Sequence, residues 1–357
     1  WITLSELEKA MLDWKEKNPT NAEGATTYPV TTYNINGFIR YLGQCYGMAM
    51  YYDEGEGAGY YFTHPQMEEE LAMLNRWYNS GLLDPEFAIN KKENGQAKFT
   101  SGISIVTLVH ESELSEINQA LEAEDPDVYV FSHPKVKADN CEAVYERYSG
   151  VGAGGLVTLS TVSDLDRALA WINFMNDAEI MFYCCNGLPG EDGFWQYDEN
   201  GMVELNMENI AAGTTDLWDR FRASGGYKYM WMLSEGIDTR FPAWPSNFYE
   251  PIHGQVGEQA KENLGRYEFW DPDVDKLSNP ALYQDIEPAS DSDEGIIKAE
   301  LDDIWNYAIP EIIMSKDETA ARARYQKMVE EMKAAGYEQW LAAVSEKYLI
   351  KKEIMGL

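Results

Sequence analysis

Residues 103 to 131 carry the pattern that most narrows the choice of fold. Ile103-Ser-Ile-Val-Thr-Leu-Val109 is a short apolar run of strand length, rich in β-branched residues. Ser112 then opens a short helical repeat (Leu114, Ile117, Leu121) that Asp125-Pro126 ends, and Val128-Tyr-Val-Phe131 reads as a second strand. Strand, helix and strand with short links predict a parallel pair and a right-handed crossover. The chain is therefore expected to be α/β. Its 357 residues suffice for about two domains.

Helical stripes lie on both sides of this unit. Thr3 with Glu6 three residues on forms a capping box, and Leu4, Leu7, Met11 and Trp14 follow at helical spacing until Pro19. Thr20 to Asn36 is rich in turn residues and is expected to connect rather than form a helix. His64-Pro65 opens a helix from about Gln66 to Ser80, with Met67, Leu71, Leu74 and Tyr78 on one face and Gly81 as its left-handed stop. Gly150 to Gly155 is a glycine-rich link into a strand at Leu156 to Leu159. Ser163 is expected to cap the next helix, with Asp166 three residues on, and Asp198-Glu-Asn-Gly201 to turn a hairpin. Asp285 to Glu294 reads as a solvated acidic loop. The last third is helical: Ile297, Leu301, Ile304, Trp305 and Ala308 form a stripe that Pro310 is expected to interrupt, and Tyr325, Met328, Val329 and Met332 form another that Gly336 closes.

Charge removes whole classes of partner. Asp and Glu number 61 against 28 Lys and Arg, a net −33. Such a surface repels phosphate, so nucleic acid is not expected, and it lacks the clustered cations that anionic lipid requires. Apolar residues at 45% and aromatics at 13% exclude a disordered chain. No run approaches the roughly 20 apolar residues of a membrane helix. Walker A chemistry is absent, because Gly155 is followed by Leu156 and Val157 where Lys and Ser/Thr would meet phosphate. No H-E-x-x-H or G-x-S-x-G occurs, and paired carboxylates mean little in so acidic a chain. Asn18 to Gly24 has too few carboxylates for a calcium loop. No metal or cofactor is expected. Cys45, Cys141, Cys184 and Cys185 form no C-x-x-C and read as small buried hydrophobes, with a disulfide left open.

The positive clue is aromatic. The chain has 11 Trp, 23 Tyr and 12 Phe. Trp14, Tyr78, Trp305 and Tyr325 sit on helical stripes and are read as core. Trp195 and Tyr197 instead flank a hairpin turn. Trp244, Phe248 and Tyr249 fall among prolines. A ring in a loop either packs beneath that loop or offers a face to a ligand, and the C–H face of a sugar suits such a platform. His110, at the end of a predicted strand, is either ligand-facing, as at the carboxyl ends of α/β strands, or an ordinary surface or core residue.

Several segments together carry a resemblance. Trp1-Ile-Thr-Leu-Ser-Glu-Leu resembles a helix start P-x-T-W/L-D-E-L/F. Leu74-Asn-Arg-Trp-Tyr-Asn-Ser-Gly-Leu-Leu-Asp-Pro-Glu-Phe87 is similar to L-x-x-L-Y-x-x-G-L-I-D-P-E-F, and Phe99-Thr-Ser-Gly-Ile103 to F-x-S-G-K. Asn186-Gly-Leu-Pro-Gly-Glu-Asp-Gly-Phe-Trp195 resembles N-Y-G-x-E-G-x-x-W/Y, departing at Pro189. These are motifs of the extracellular solute-binding proteins of ABC transporters, the sugar-binding, lipoprotein-type family 1. The resemblance implies a two-lobed periplasmic-binding-protein-like fold of type II, with the first lobe incomplete because an N-terminal part holding the export signal and lipid-attachment Cys would precede Trp1. Residues 1–146 would begin lobe II, 147–235 return to lobe I, and 236–357 mainly complete lobe II. The family's calcium loop is not carried over, since its carboxylates are missing here.

The resemblance further implies a binding protein and not an enzyme. A monomer displayed at the cell surface would capture an oligosaccharide by hinge closure and hand it to an ABC permease. Tyr33, Asn34, Asn36, His110 and Glu111 are the expected walls of the site, and Trp195, Trp244 and Tyr249 its stacking platforms. A secreted glycan-processing enzyme, or a binder of peptides or cationic solutes, are the alternatives.

Overall fold

The computed structural model of the chain describes residues 2–109, 136–146, 163–175, 195–199, 203–206 and 285–356, with single or paired positions between them (113, 117, 120, 121, 128, 130, 189, 190, 201, 277, 278, 282 and 283). The chain divides into two compact units. The first comprises residues 1–126, 130–148 and 263–357, and the second 127–129 and 149–262.

The first unit opens with β1 (Ile2–Thr3) and α1 (Leu4–Lys17). The expected capping box is present: the Thr3 hydroxyl accepts the Glu6 N–H at 3.1 Å, and the Thr3 N–H donates to Glu6 Oε2 at 2.8 Å. Leu4 and Met11 are buried. Glu8 receives a two-pronged Arg76 guanidinium at 3.0 and 2.9 Å and the Trp77 indole N–H at 2.9 Å. Burial alone would raise the Glu8 pKa, but the bonds from Arg76 and Trp77 outweigh it and hold it below the usual carboxylate value.

α2 (Ile35–Cys45) begins inside the segment expected to be a connection. Asn34 caps it, accepting the Gly37 N–H at 2.9 Å, and Phe38, Ile39 and Leu42 bury one face. A hairpin of β2 (Tyr51–Asp53) and β3 (Ala58–Tyr60) follows. α3 (Met67–Asn79) forms where its stripe predicts, and Gly81 adopts the left-handed φ of +68°. α4 (Lys92–Thr100) leads to Ile103.

The expected pairing of residues 103–109 with 128–131 is not what the described residues show. Val128 and Val130 carry no strand, and the 103–106 stretch runs parallel beside residues 28–31. Val30, fully buried, bridges Leu83 on one side and Val106 on the other, both parallel. A partner distant in sequence that buries Val30 wins over the local one. β4 (Val136–Lys137) pairs with β1, and β5 (Tyr145–Glu146) with a later strand, both parallel.

In the second unit α5 (Leu165–Met175) is capped one residue later than expected: Asp164 Oδ1, not Ser163, accepts the Arg167 N–H at 2.9 Å. The predicted hairpin is present as β6 (Trp195–Tyr197) against β7 (Val203–Leu205), with Gly201 at φ +75°. The glycine link at 150–155, the strand at 156–159, and Cys184 and Cys185 lie outside the described residues.

The first unit resumes with β8 (Leu277–Ser278), the partner of β5, and three packed helices: α6 (Asp293–Ile313), α7 (Glu318–Ala334) and α8 (Tyr337–Ile354). The acidic stretch is only partly loop, since Ser292 caps α6 and places Asp293 and Glu294 in its first turn, where the dipole favours them. Pro310 does not interrupt α6. It lies in the last turn, where it removes one backbone bond while Ile309, Ile312 and Ile313 are fully packed. Asn75 of α3 binds the end of α6, donating to the carbonyls of Ile313 at 3.0 Å and Ser315 at 2.7 Å. Aromatic rings fill the core. Phe62 stacks on Trp305 at 4.2 Å, Tyr60 meets Trp340 edge-on at 4.9 Å, and Tyr283 stacks on Tyr348 at 5.3 Å.

Candidate ligand-binding site

Three parallel stretches, 82–84, 28–31 and 103–106, end at one edge of the first unit. Their ladder runs from Val30 N–H to the Leu82 carbonyl (2.9 Å), Asp84 N–H to Val30 (2.8 Å), Val106 N–H to Pro29 (2.9 Å) and Thr31 N–H to Val106 (3.0 Å). Parallel stretches place the next residues of each, Thr32 to Asn34 and Thr107 onward, at their carboxyl ends, where α/β folds take ligands.

A buried polar node ties these ends together. Asp84 is 1% exposed. Its Oδ2 accepts from the Thr31 hydroxyl (2.9 Å), Asn90 Nδ2 (2.8 Å) and Lys98 Nζ (2.7 Å), and its Oδ1 from the Glu86 N–H (3.0 Å). Lys98 also reaches Glu86 at 2.6 Å and Asn90 at 3.1 Å. Burial pushes the Asp84 pKa up, but the Lys98 ammonium, Asn90, Glu86 N–H and Thr31 pull harder and hold it below the ordinary value. Asp84-Pro-Glu-Phe87 is thus a structural clamp in which a carboxylate, a proline turn and Lys98 of α4 fix one edge.

Tyr33 sits on this edge, half-buried, with its hydroxyl donating to Glu113 and its ring against Gly95 of α4. A Cβ at Gly95 would come within 3.0 Å of the ring. Glu113 in turn pairs with Lys92 at 2.9 Å. Burial, then Glu113, raises the Tyr33 pKa, so the phenol stays protonated as a donor. Asn34 is exposed and its side-chain oxygen caps α2. Asn36 is committed inward: its Oδ1 accepts the Trp305 indole N–H at 2.9 Å and its Nδ2 donates to Asn306 Oδ1 at 2.8 Å. The buried Thr107 hydroxyl, at the end of the third stretch, has no hydrogen-bond partner among the described residues.

Trp195 is fully buried, edge-on to Tyr197 at 5.2 Å, and presents no face to solvent. Hairpin pairing turns that ring inward, in place of the exposed platform expected from its loop context. His110, Glu111, Trp244 and Tyr249 lie outside the described residues. Among the described residues no group of His, Cys, Asp and Glu is placed to hold a metal, and Asn21 of the early loop spends its side-chain oxygen on the N–H groups of Glu23 (3.1 Å) and Ala25 (2.9 Å).

Two sequence features could have pointed to the node. Asp84-Pro-Glu-Phe87 marks a turn that follows an apolar run, and Lys98 is a cation among residues that otherwise lead into a buried stretch. Neither Asn90 nor Glu113 has a periodic signal: Asn90 joins Asp84 and Lys98 across a turn and reaches Thr32 far along the chain, and Glu113 acts on the distant Tyr33.

The geometry of Asn36 yields a direct test of its role. Asn36→Ala orphans the Trp305 indole N–H and should cost about 1–3 kcal/mol of stability by urea unfolding. A variant of unchanged stability would free Asn36 from this structural duty.

The architecture matches solved structures over almost the whole chain. Alginate-binding protein AlgQ2, solved without calcium ion, aligns with 97% of this chain and 68% of its own, at 14% identity and a TM-score of 0.63. An extracellular solute-binding protein from Bifidobacterium longum subsp. infantis aligns with 97% of this chain and 69% of its own, at 13% identity and a TM-score of 0.68. The chain has the solute-binding-protein fold. The ABC-transporter substrate-binding protein FusA from S. pneumoniae, an EF-hand mutant in complex with fructo-nystose, shares this solute-binding fold over 99% of the present chain and 69% of its own, at 14% identity and a TM-score of 0.58. No protein-family model matches the sequence, and no curated protein does so. Among the described residues, no helix is long and apolar enough to cross a membrane.

Proposed function

We propose that the chain is the substrate-binding component of an ABC importer, capturing an oligosaccharide and delivering it to a permease without breaking a bond. The observation that carries this reading is a solute-binding fold shared over 97–99% of the chain with proteins described as alginate-binding and as bound to fructo-nystose. Capture proceeds by hinge closure, in which the ligand shifts the population toward the arrangement it binds better. In this reading the protein is a monomer on the outer face of the membrane, held there by a lipid anchor beside its permease.

Tyr33 and Asn34 are the hydroxyl and amide partners this reading assigns to sugar hydroxyls, with His110 and Glu111 as further polar partners and Trp244 and Tyr249 as stacking faces. Asn36 and Trp195 serve packing. Trp244→Ala should weaken binding of the preferred oligosaccharide about tenfold or more by calorimetry, the size of a stacking hot spot. Unchanged affinity in a folded variant contradicts that assignment. Cleavage of the oligosaccharide during the titration contradicts the transport role and favours a glycan-processing enzyme.

A further inference from the structure

Glu70 of α3 has no exposed surface, and neither of its carboxyl oxygens has a hydrogen-bond partner among the described residues. Its neighbours Glu68 and Glu69 face outward, toward Gln326 and Arg322 of α7. Glu70 instead points at α2. A Cβ built at Gly43 would lie 3.3 Å from Glu70 Oε2 and 3.4 Å from the Met48 methyl, so α2 seats this closely because position 43 is glycine. The titratable groups that sense Glu70 from the α2 side are Cys45 and Tyr46, and both are spent elsewhere. The Cys45 thiol leans on the Tyr41 carbonyl at 3.9 Å, and the Tyr46 hydroxyl donates to Met73 Sδ at 3.3 Å. Burial first, then Glu70, pushes the Cys45 thiol up to about 12, so it stays neutral. The cation on the same helix, Arg76, is held by Glu8 and Glu318, and Arg322 is held by Glu68, Glu69 and Glu318. An ionised carboxylate with no exposed surface and, among the described residues, no counter-charge costs several kcal/mol.

We propose that Glu70 is a proton-operated latch, with α2 seated on α3 while the carboxyl is protonated and released from it more often as pH rises. Desolvation lifts the seated pKa well above 4.5, and exposure on release restores it. The sign follows from linkage. Seating is complete below the exposed value and is lost as pH climbs from there toward the seated value, with the opening constant rising tenfold per pH unit. Because α2 starts at Asn34 to Asn36, release also loosens the edge that Tyr33 shares. The latch stands or falls without reference to any ligand.

Hydrogen exchange on the full chain tests it, with rates corrected for intrinsic chemistry and amides of α8 as the internal reference. The opening constant of α2 amides should rise with pH above the ordinary carboxylate range in the wild type, by up to tenfold per pH unit, and stay flat in Glu70→Gln and Glu70→Leu. A flat wild-type profile, or an equal slope in either variant, overturns the proposal. Should both variants fail to fold, the wild-type slope decides together with the infrared band of a protonated carboxyl. That band is expected to persist above the ordinary carboxylate range in the folded chain, and its loss within that range overturns the latch.

Discussion

Asp84→Ala should lower the stability of the chain by about 3–5 kcal/mol, the range for removing one partner from a buried ion pair. The loss arises because Lys98, only 17% exposed along its side chain, keeps its charge while its buried carboxylate partner disappears and only the exposed Glu86 remains, and because Thr31 and Asn90 each lose an acceptor at the same time. Urea unfolding measures it. Replacing both partners, as Asp84→Leu with Lys98→Met, should recover much of the loss, since the uncompensated charge goes too. A loss below about 1 kcal/mol would show that the node is not a clamp. The acid side of the pH profile gives a second reading. The Asp84 pKa is held below the ordinary carboxylate value, so its contribution is present above the unfolded-state pKa and lost as pH falls through the folded one. Glu70 tilts the profile the other way, favouring the folded state at lower pH. Stability should therefore peak in mildly acidic solution, with Asp84→Ala flattening the acid limb and Glu70→Gln the opposite one.

Trp305→Ala should cost about 3–5 kcal/mol, as large aromatic truncations in packed cores do. The indole is 2% exposed, stacks on Phe62 with the rings 9° from parallel, and meets Tyr61 at 5.3 Å. Its N–H also binds Asn36, so α6 is joined to the start of α2 by packing and by a hydrogen bond at the same position. Trp305→Phe keeps most of the stacking and isolates the hydrogen bond. Its cost should fall to about 1–3 kcal/mol, matching Asn36→Ala, and the double variant should show coupling between the two. Additive losses would mean that the two residues act independently.

These two sites show why the sequence was readable in some places and not in others. Trp305 could be assigned to the core from its stripe because a helix repeats its apolar face every three to four residues, whatever it packs against. The capping box of α1 and the glycine stop of α3 were readable for the same reason, since their partners lie within a few residues. The ladder around Val30 was not, because Leu83 and Val106 are distant in sequence and no local pattern names them. α2 did carry a signal, with Asn34 before a repeat of Ile35, Phe38, Ile39 and Leu42, but surrounding Thr, Asn and Gly masked it. Pro310 misled because a proline near a helix end is tolerated when the turn is tightly packed.

At the candidate site the residue types were readable and their duties were not. Asn36 looks like a sugar partner in sequence and in space is a half-buried residue bonded to Trp305 and Asn306. Trp195 looks like a platform and is buried. Tyr33 lies at the end of the 28–31 stretch, and its orientation comes from Glu113 and Gly95, which no spacing rule connects to it.

The most direct test of the central claim is thermal and urea unfolding of the chain with oligosaccharides of the alginate and fructan classes, each recovered and analysed afterwards. A true ligand at about 100 times its Kd should stabilise the folded state by about 2.7 kcal/mol and be recovered intact. Absence of stabilisation by every oligosaccharide, or recovery of cleaved sugar, would contradict an oligosaccharide-capturing transport protein.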